Sequence, residues 1–106
     1  MKTQASPDST QHPTRSGYHM VLYICGATPH CMQAVKNIND ICGTYLDETT
    51  QVEIIDVNEH PEAAVKAQII AAPTLIKLEP GPERRLIGDL SNRDKVLMAL
   101  GIYDAA

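Results

Sequence analysis

The chain has 106 residues, of which 43% are hydrophobic and 4% aromatic, and it carries a net charge of −4. That length makes one domain with a modest core that needs no staples, and the acidic balance argues against a nucleic-acid footprint or an anionic membrane surface. No apolar run approaches a bilayer span, no apolar region follows the early Lys2 as a secretory signal requires, and three cysteines are an odd number for a disulfide framework, so a reducing cytoplasm is the expected compartment.

With four Tyr and no Phe or Trp, packing must rest on Ile, Leu, Val, Met and Ala. Residues 1–17 are rich in Ser, Thr, Gln and Pro and nearly lack apolar side chains. They cannot offset their ordering entropy and are expected to form a disordered arm, leaving residues 18–106 as the folded domain. Tyr18 to Cys25 is almost continuously apolar, which suits a strand buried on both faces. Gly26-Ala27 is a turn, Thr28 is a good N-cap and Pro29 a good first helical residue. Met32, Val35, Ile38, Ile41, Cys42 and Tyr45 then recur at helical spacing. Val52 to Val57 is the next strand, and strand–helix–strand at this spacing predicts a right-handed unit with parallel strands.

His60-Pro61-Glu62 opens a short second helix that carries Ala63, Ala64, Val65 and Ala67; Ile69 and Ile70 close the apolar run, and the helix ends before Pro73. The proline ring fixes φ, removes a donor and pushes Ala72 toward extended geometry. Thr74 to Leu78 is a short β-rich run, Glu79-Pro80-Gly81-Pro82 a turn, and Arg84 to Ile87 the returning strand. Ser91 with Asp94 three residues on has the form of a capping box, opening a last helix from Asn92 to Leu100 with Val96, Leu97 and Leu100 inward. The predicted order is β-α-β-α-β-β-α, an α/β single domain.

That order, with a proline opening the third strand, resembles the thioredoxin-like fold. The resemblance implies a cis bond before Pro73. In that fold the redox centre lies where the first strand meets the first helix. Here that junction reads Thr28-Pro29-His30-Cys31, with cysteine at the second end alone.

A closer resemblance is to the circadian clock protein KaiB family. Leu22-Tyr23 through Gly26-Ala27-Thr28-Pro29 looks like the family's Leu-Tyr-x-x-Gly-x-Thr-Pro. Ile55-Asp56-Val57 with Pro61 looks like its second strand and following loop. Ala72-Pro73-Thr74-Leu75, Arg84-Arg85 and Gly88-Asp89-Leu90-Ser91-Asn92-Arg93 look like its most distinctive run. The resemblance spans Tyr18 to about Ile102. It implies a binding protein without catalytic activity or cofactor, which modulates a KaiC-like ATPase in a circadian or stress-timing system. A KaiA-like protein or a histidine kinase is an implied further partner. It also implies two folds, one thioredoxin-like and one with a rearranged second half that assembles as a tetramer. Two such packings coexist when they differ by a few kcal/mol. A homo-oligomer, dimer or tetramer, is expected.

Three positions that are usually basic in the family hold Gln33, Glu53 and Gln68, while Lys77, Arg84 and Arg85 keep the charge. Those three, with Asp89 and Arg93, are the expected partner contacts; solvated surface charge is the bland alternative for each. Ala99 stands where the family often has Gly, which raises helix propensity by about 1 kcal/mol and should favour the thioredoxin-like state.

Cys31 falls in the first turn of the first helix, where the helix dipole stabilises a thiolate. Thr-x-x-Cys there also resembles a peroxidatic site. Thiol-redox or peroxidase chemistry through Cys31 is therefore the alternative function, with Cys25 and Cys31 as a candidate switchable pair. Cys42 reads as core. Five residues between Cys25 and Cys31 is poor metal-ligand spacing, so no metal is expected at His30, Cys31 and Cys25. His12, His19 and His60 read as exposed or loop residues.

Overall fold

The computed structural model describes residues 15–102. Its elements are β1 (His19–Ile24), α1 (Pro29–Tyr45), β2 (Gln51–Asp56), α2 (Pro61–Lys66), β3 (Thr74–Glu79), β4 (Arg84–Ile87) and α3 (Arg93–Ala99). The strands form one sheet in the order β2-β1-β3-β4. β2 runs parallel to β1, with His19 opposite Gln51 and Ile24 opposite Asp56. β3 is antiparallel to β1, and β4 to β3. This is the expected thioredoxin-like arrangement.

The apolar run of β1 is explained by two covered faces. Met20, Leu22 and Ile24 join Leu75 under α1 and α3, while Val21 and Tyr23 join Ile76, Ile55, Ala63 and Ile69 on the α2 side. Alternation along the strand sends neighbouring side chains to opposite faces, so a strand buried twice reads as unbroken hydrophobicity.

Thr28 caps α1 by accepting the Cys31 N–H at 3.3 Å, and Pro29 fills the first helical position, where no donor is needed. The inner face differs from the expected one by a step. Cys31, Ala34, Ile38 and Ile41 are buried, while Val35, Cys42 and Tyr45 pack at the margin. Met32 is 40% exposed. One residue is about 100° of helix, so a stripe centred on small residues at 31 and 34 turns Met32 outward.

The second helix is shorter than expected. α2 stops at Lys66, and Gln68 takes a left-handed φ of 58°. Gln68 N–H donates to Val65 O at 3.1 Å and Ile69 N–H to Ala64 O at 2.9 Å. That pair of bonds is a Schellman closure, with glutamine where glycine is usual. The helix has therefore ended by its own C-cap well before the Ala72–Pro73 bond, which is cis. Ile69 packs under the sheet and Ile70 is left exposed. The Glu79–Pro80 and Gly81–Pro82 bonds are also cis.

α3 is capped by Asn92, not Ser91: Asn92 Oδ1 accepts the Lys95 N–H at 3.2 Å. Ser91 is drawn away because its N–H is held by Asp89 Oδ1 at 3.0 Å. At the other end Gly101, with φ of 78°, closes a second Schellman motif. Its N–H donates to Met98 O at 3.0 Å, Ile102 N–H donates to Leu97 O at 2.8 Å, and Ile102 is buried.

The arm expected over residues 1–17 lies outside the described residues as far as 14. Its last part is fixed rather than disordered. Arg15 N–H donates to Tyr45 O at 2.9 Å, Asp47 N–H to Arg15 O at 2.9 Å, and Gly17 N–H to Thr49 Oγ1 at 3.1 Å. Backbone pairing with the end of α1 supplies what the polar side chains cannot.

Candidate functional site

The register divides the candidate residues between the two ends and two faces of the sheet. At one end β1 leads into α1, β2 into α2, and the Pro73 loop into β3. Asp56 Oδ1 accepts the N–H of Gly26 at 3.1 Å and that of Asn58 at 2.9 Å, tying the two βα loops together. Gly26 adopts φ of 67°, and a Cβ there would lie 3.6 Å from Asn58 Nδ2, so glycine suits the turn. Asp89 sits beside these loops. Ser91 donates to it from hydroxyl and backbone, and His30 Nδ1 lies 3.7 Å away, so its carboxyl is held below the usual carboxylate value. Asn37 Nδ2 donates to Asp89 O at 2.8 Å, pinning the loop to α1. Asp89 is thus a structural tie. Arg93 is exposed at the start of α3 and, among the described residues, has no ion-pair partner.

The three cysteines are free thiols. Cys31 is 1% exposed, and its Sγ accepts the Cys25 N–H at 3.2 Å. The thiol that the sequence makes a candidate nucleophile faces the core. Cys25 is exposed and lies 3.6 Å from Asn58 Nδ2 through its sulfur. Burial pushes the Cys42 thiol up to about 11. Among the described residues no group of three or more His, Cys, Asp or Glu side chains is placed to hold a metal.

The opposite end carries the hairpin. Lys77 and Arg84 are register partners, and both project with Leu75 and Leu86 to the α3 side. Lys77 is 4% exposed. Burial, with Arg84 beside it, holds its ammonium below the ordinary lysine value. The two cations face an open cavity between the hairpin and the end of α3, and Arg15 and Tyr18 line its far side. Tyr18 donates its hydroxyl proton to Leu100 O at 2.6 Å, which fixes the end of α3 to β1.

Arg85 projects to the other face. Its guanidinium donates to Ala67 O at 2.6 Å and Gln68 O at 3.2 Å and lies 3.6 Å from Glu83. It caps α2, satisfying carbonyls that a helix end leaves open. The five expected contact residues are therefore not one patch. Lys77 and Arg84 share the hairpin cavity, Arg85 braces α2, and Asp89 and Arg93 lie at the far end. The sequence reading missed Arg15, because polar neighbours placed it in the arm; no local signal marks it.

The KaiB domain family matches residues 21–102. The circadian clock oscillator protein KaiB of Thermosynechococcus vestitus is 42% identical over 90 residues, covering 85% of this chain and 83% of that protein. This chain belongs to the KaiB family. KaiB of Prochlorococcus marinus strain MIT 9303 is 42% identical over 91 residues, covering 85% of this chain and 76% of its own length. Among solved structures, the N-terminal domain of Synechococcus elongatus SasA matches with a TM-score of 0.66 at 17% identity over 99% of both chains. Chloroplastic thioredoxin z matches with a TM-score of 0.67 at 20% identity, over 82% of this chain and 79% of its own. These two likenesses concern the fold. In this KaiB family member, no helix among the described residues is long and apolar enough to cross a membrane.

Proposed function

We propose that this chain is a cytoplasmic regulatory protein that docks on a KaiC-type ATPase and modulates its timing cycle, with no catalysis of its own. Membership of the KaiB family over residues 21–102 carries the reading. The contact surface is centred on Lys77 and Arg84. Arg85 braces α2 on the opposite face, and Asp89 and Arg93 contribute from the other end. A KaiA-like protein or a histidine kinase is the further partner. Burial of Cys31 supports binding over thiol chemistry, since a nucleophile must reach its substrate.

The thioredoxin-like state is more populated here than in clock members of the family, favoured by Ala99 at the last position of α3. Dimers or tetramers form through edges such as β2 and β4, where Ile54 and Ile87 are exposed. Amide exchange showing residues 95–101 as a strand in solution would contradict this preference for the thioredoxin-like state.

Size exclusion with light scattering, on mixtures with the KaiC-type ATPase of the same organism and ATP, tests the reading. A saturable complex is expected, and Cys31→Ser should leave it intact. Absence of any complex at micromolar concentrations, with peroxide or disulfide turnover abolished by Cys31→Ser, would replace binding with thiol chemistry.

A further inference from the structure

The cavity under the hairpin gathers three cations. Its volume is about 310 Å³, and Arg15, Lys77 and Arg84 all line it. The chain has nine Lys and Arg and a net charge of −4, so a third of its cations gather at one site on an acidic protein. Among the described residues no lining residue is acidic, and none of the three forms an ion pair.

Lys77 is the decisive member. Its side chain is nine-tenths or more buried yet opens on this cavity, with no acceptor for its ammonium among the described residues. A buried ammonium is costly unless paired, and a neighbouring like charge raises the cost. A lysine that merely threads its methylenes over apolar surface ends in water away from other cations. Here the stem ends beside Arg84, in a cavity that Arg15 also lines.

The walls are also fixed. Arg15 is held by backbone bonds to Tyr45 and Asp47, Lys77 and Arg84 by strand pairing, and the α3 side by the bond from Tyr18 to Leu100. Backbone bonds fix where these side chains start, and an incoming anion then orders the exposed guanidinium groups of Arg15 and Arg84. Guanidinium groups match tetrahedral oxyanions by paired N–H donors, and an ammonium adds a point charge.

From these observations we infer that Arg15, Lys77 and Arg84 form a binding site for a phosphate-type oxyanion between the β3–β4 hairpin and the end of α3. The inference uses two residues of the proposed partner contact but not the partner. It is measured on the isolated chain, so it and the ATPase-docking reading fail separately.

The test is a titration of the full chain with inorganic phosphate at constant ionic strength, chloride being replaced, followed by amide NMR. Saturable shifts of the Gly81 and Gly101 amides, which border the cavity, are expected. Lys77→Met and Arg84→Gln should each weaken binding by about tenfold or more, the loss of a charge-assisted contact in a desolvated site. Lys66→Gln, exposed at the end of α2 on the opposite face, should change it by less than about twofold, since exposed charges act weakly at that range. Far-ultraviolet circular dichroism checks that each variant is folded. Should Lys77→Met not fold, Arg84→Gln and Arg15→Gln on exposed positions carry the comparison. Shifts that never saturate, or an equal loss in Lys66→Gln, would overturn the site. So would an affinity raised about tenfold by Asp104→Asn, because the chain's own carboxylate, three residues beyond Gly101, would then be the occupant.

Discussion

The two ends of the sheet treat charge in opposite ways. At the βα-loop end each key polar group is engaged within the chain: Asp56 holds Gly26 and Asn58, Asp89 holds Ser91, and Asn37 holds the Asp89 carbonyl. At the hairpin end Lys77, Arg84 and Arg15 converge without an acid among the described lining residues. A polar group satisfied internally is part of the scaffold. A cation left desolvated and unmatched is available to something outside the chain. In thioredoxin-like proteins the βα-loop end is the chemical end. In this chain that end is locked and its Cys31 buried, and the unmatched cations lie at the other.

The comparison breaks first at Asp56. Asp56→Ala removes the acceptor of two N–H groups and should cost about 2–3 kcal/mol, read from the urea midpoint at unchanged m. A loss below about 0.5 kcal/mol would mean the loops are not locked by that side chain. Next, Gln68→Gly relieves a left-handed residue at the α2 cap and should stabilise by about 1 kcal/mol, a rise of roughly 4–8 °C in Tm for a domain this size. It sharpens the comparison by separating the cap from its brace, since Arg85→Gln should destabilise through the same carbonyls.

The ends also differ in pH response. Lys77 has a folded value below its ordinary 10.5, so the charged form burdens the fold at neutral pH. That burden is relieved as pH rises through the folded value toward 10.5. Wild type should therefore gain stability relative to Lys77→Met in the alkaline range. The difference between the two proteins is the quantity to follow, because Cys42, raised to about 11, and Tyr18, raised by burial, both lose stability there in each of them. Asp89 has the opposite sign. Its folded value lies below 3.8, so its contribution is complete above that pH and fades as pH falls through the folded value. Asp89→Asn should flatten that part of the acid limb, the smallest of these effects because the group is solvated. An unchanged acid profile would remove Asp89 from the scaffold.

Element order and type were legible because each segment carries its own period and punctuation. The run from Tyr18 to Cys25 signals a doubly covered strand, and Thr28-Pro29 a helix start. Boundaries set by tertiary contact were not legible. Nothing local in Gln68 announces a left-handed cap, which Arg85 braces from another strand. Ser91 looks like a cap until Asp89 takes its N–H. The hairpin charges were legible as a group but not as a site, because register sends Arg84 and Arg85 to opposite faces and buries Lys77. Arg15 was invisible, since what orders it is the far end of α1.

Charge reversal at the two ends, read against the KaiC-type ATPase, tests the central claim most directly. Titration of the ATP-bound ATPase should show Arg84→Glu weakening the complex by at least about tenfold and Arg93→Glu by less than about threefold, both variants being folded. Equal effects, or the reverse order, would contradict the assignment of recognition to the hairpin end.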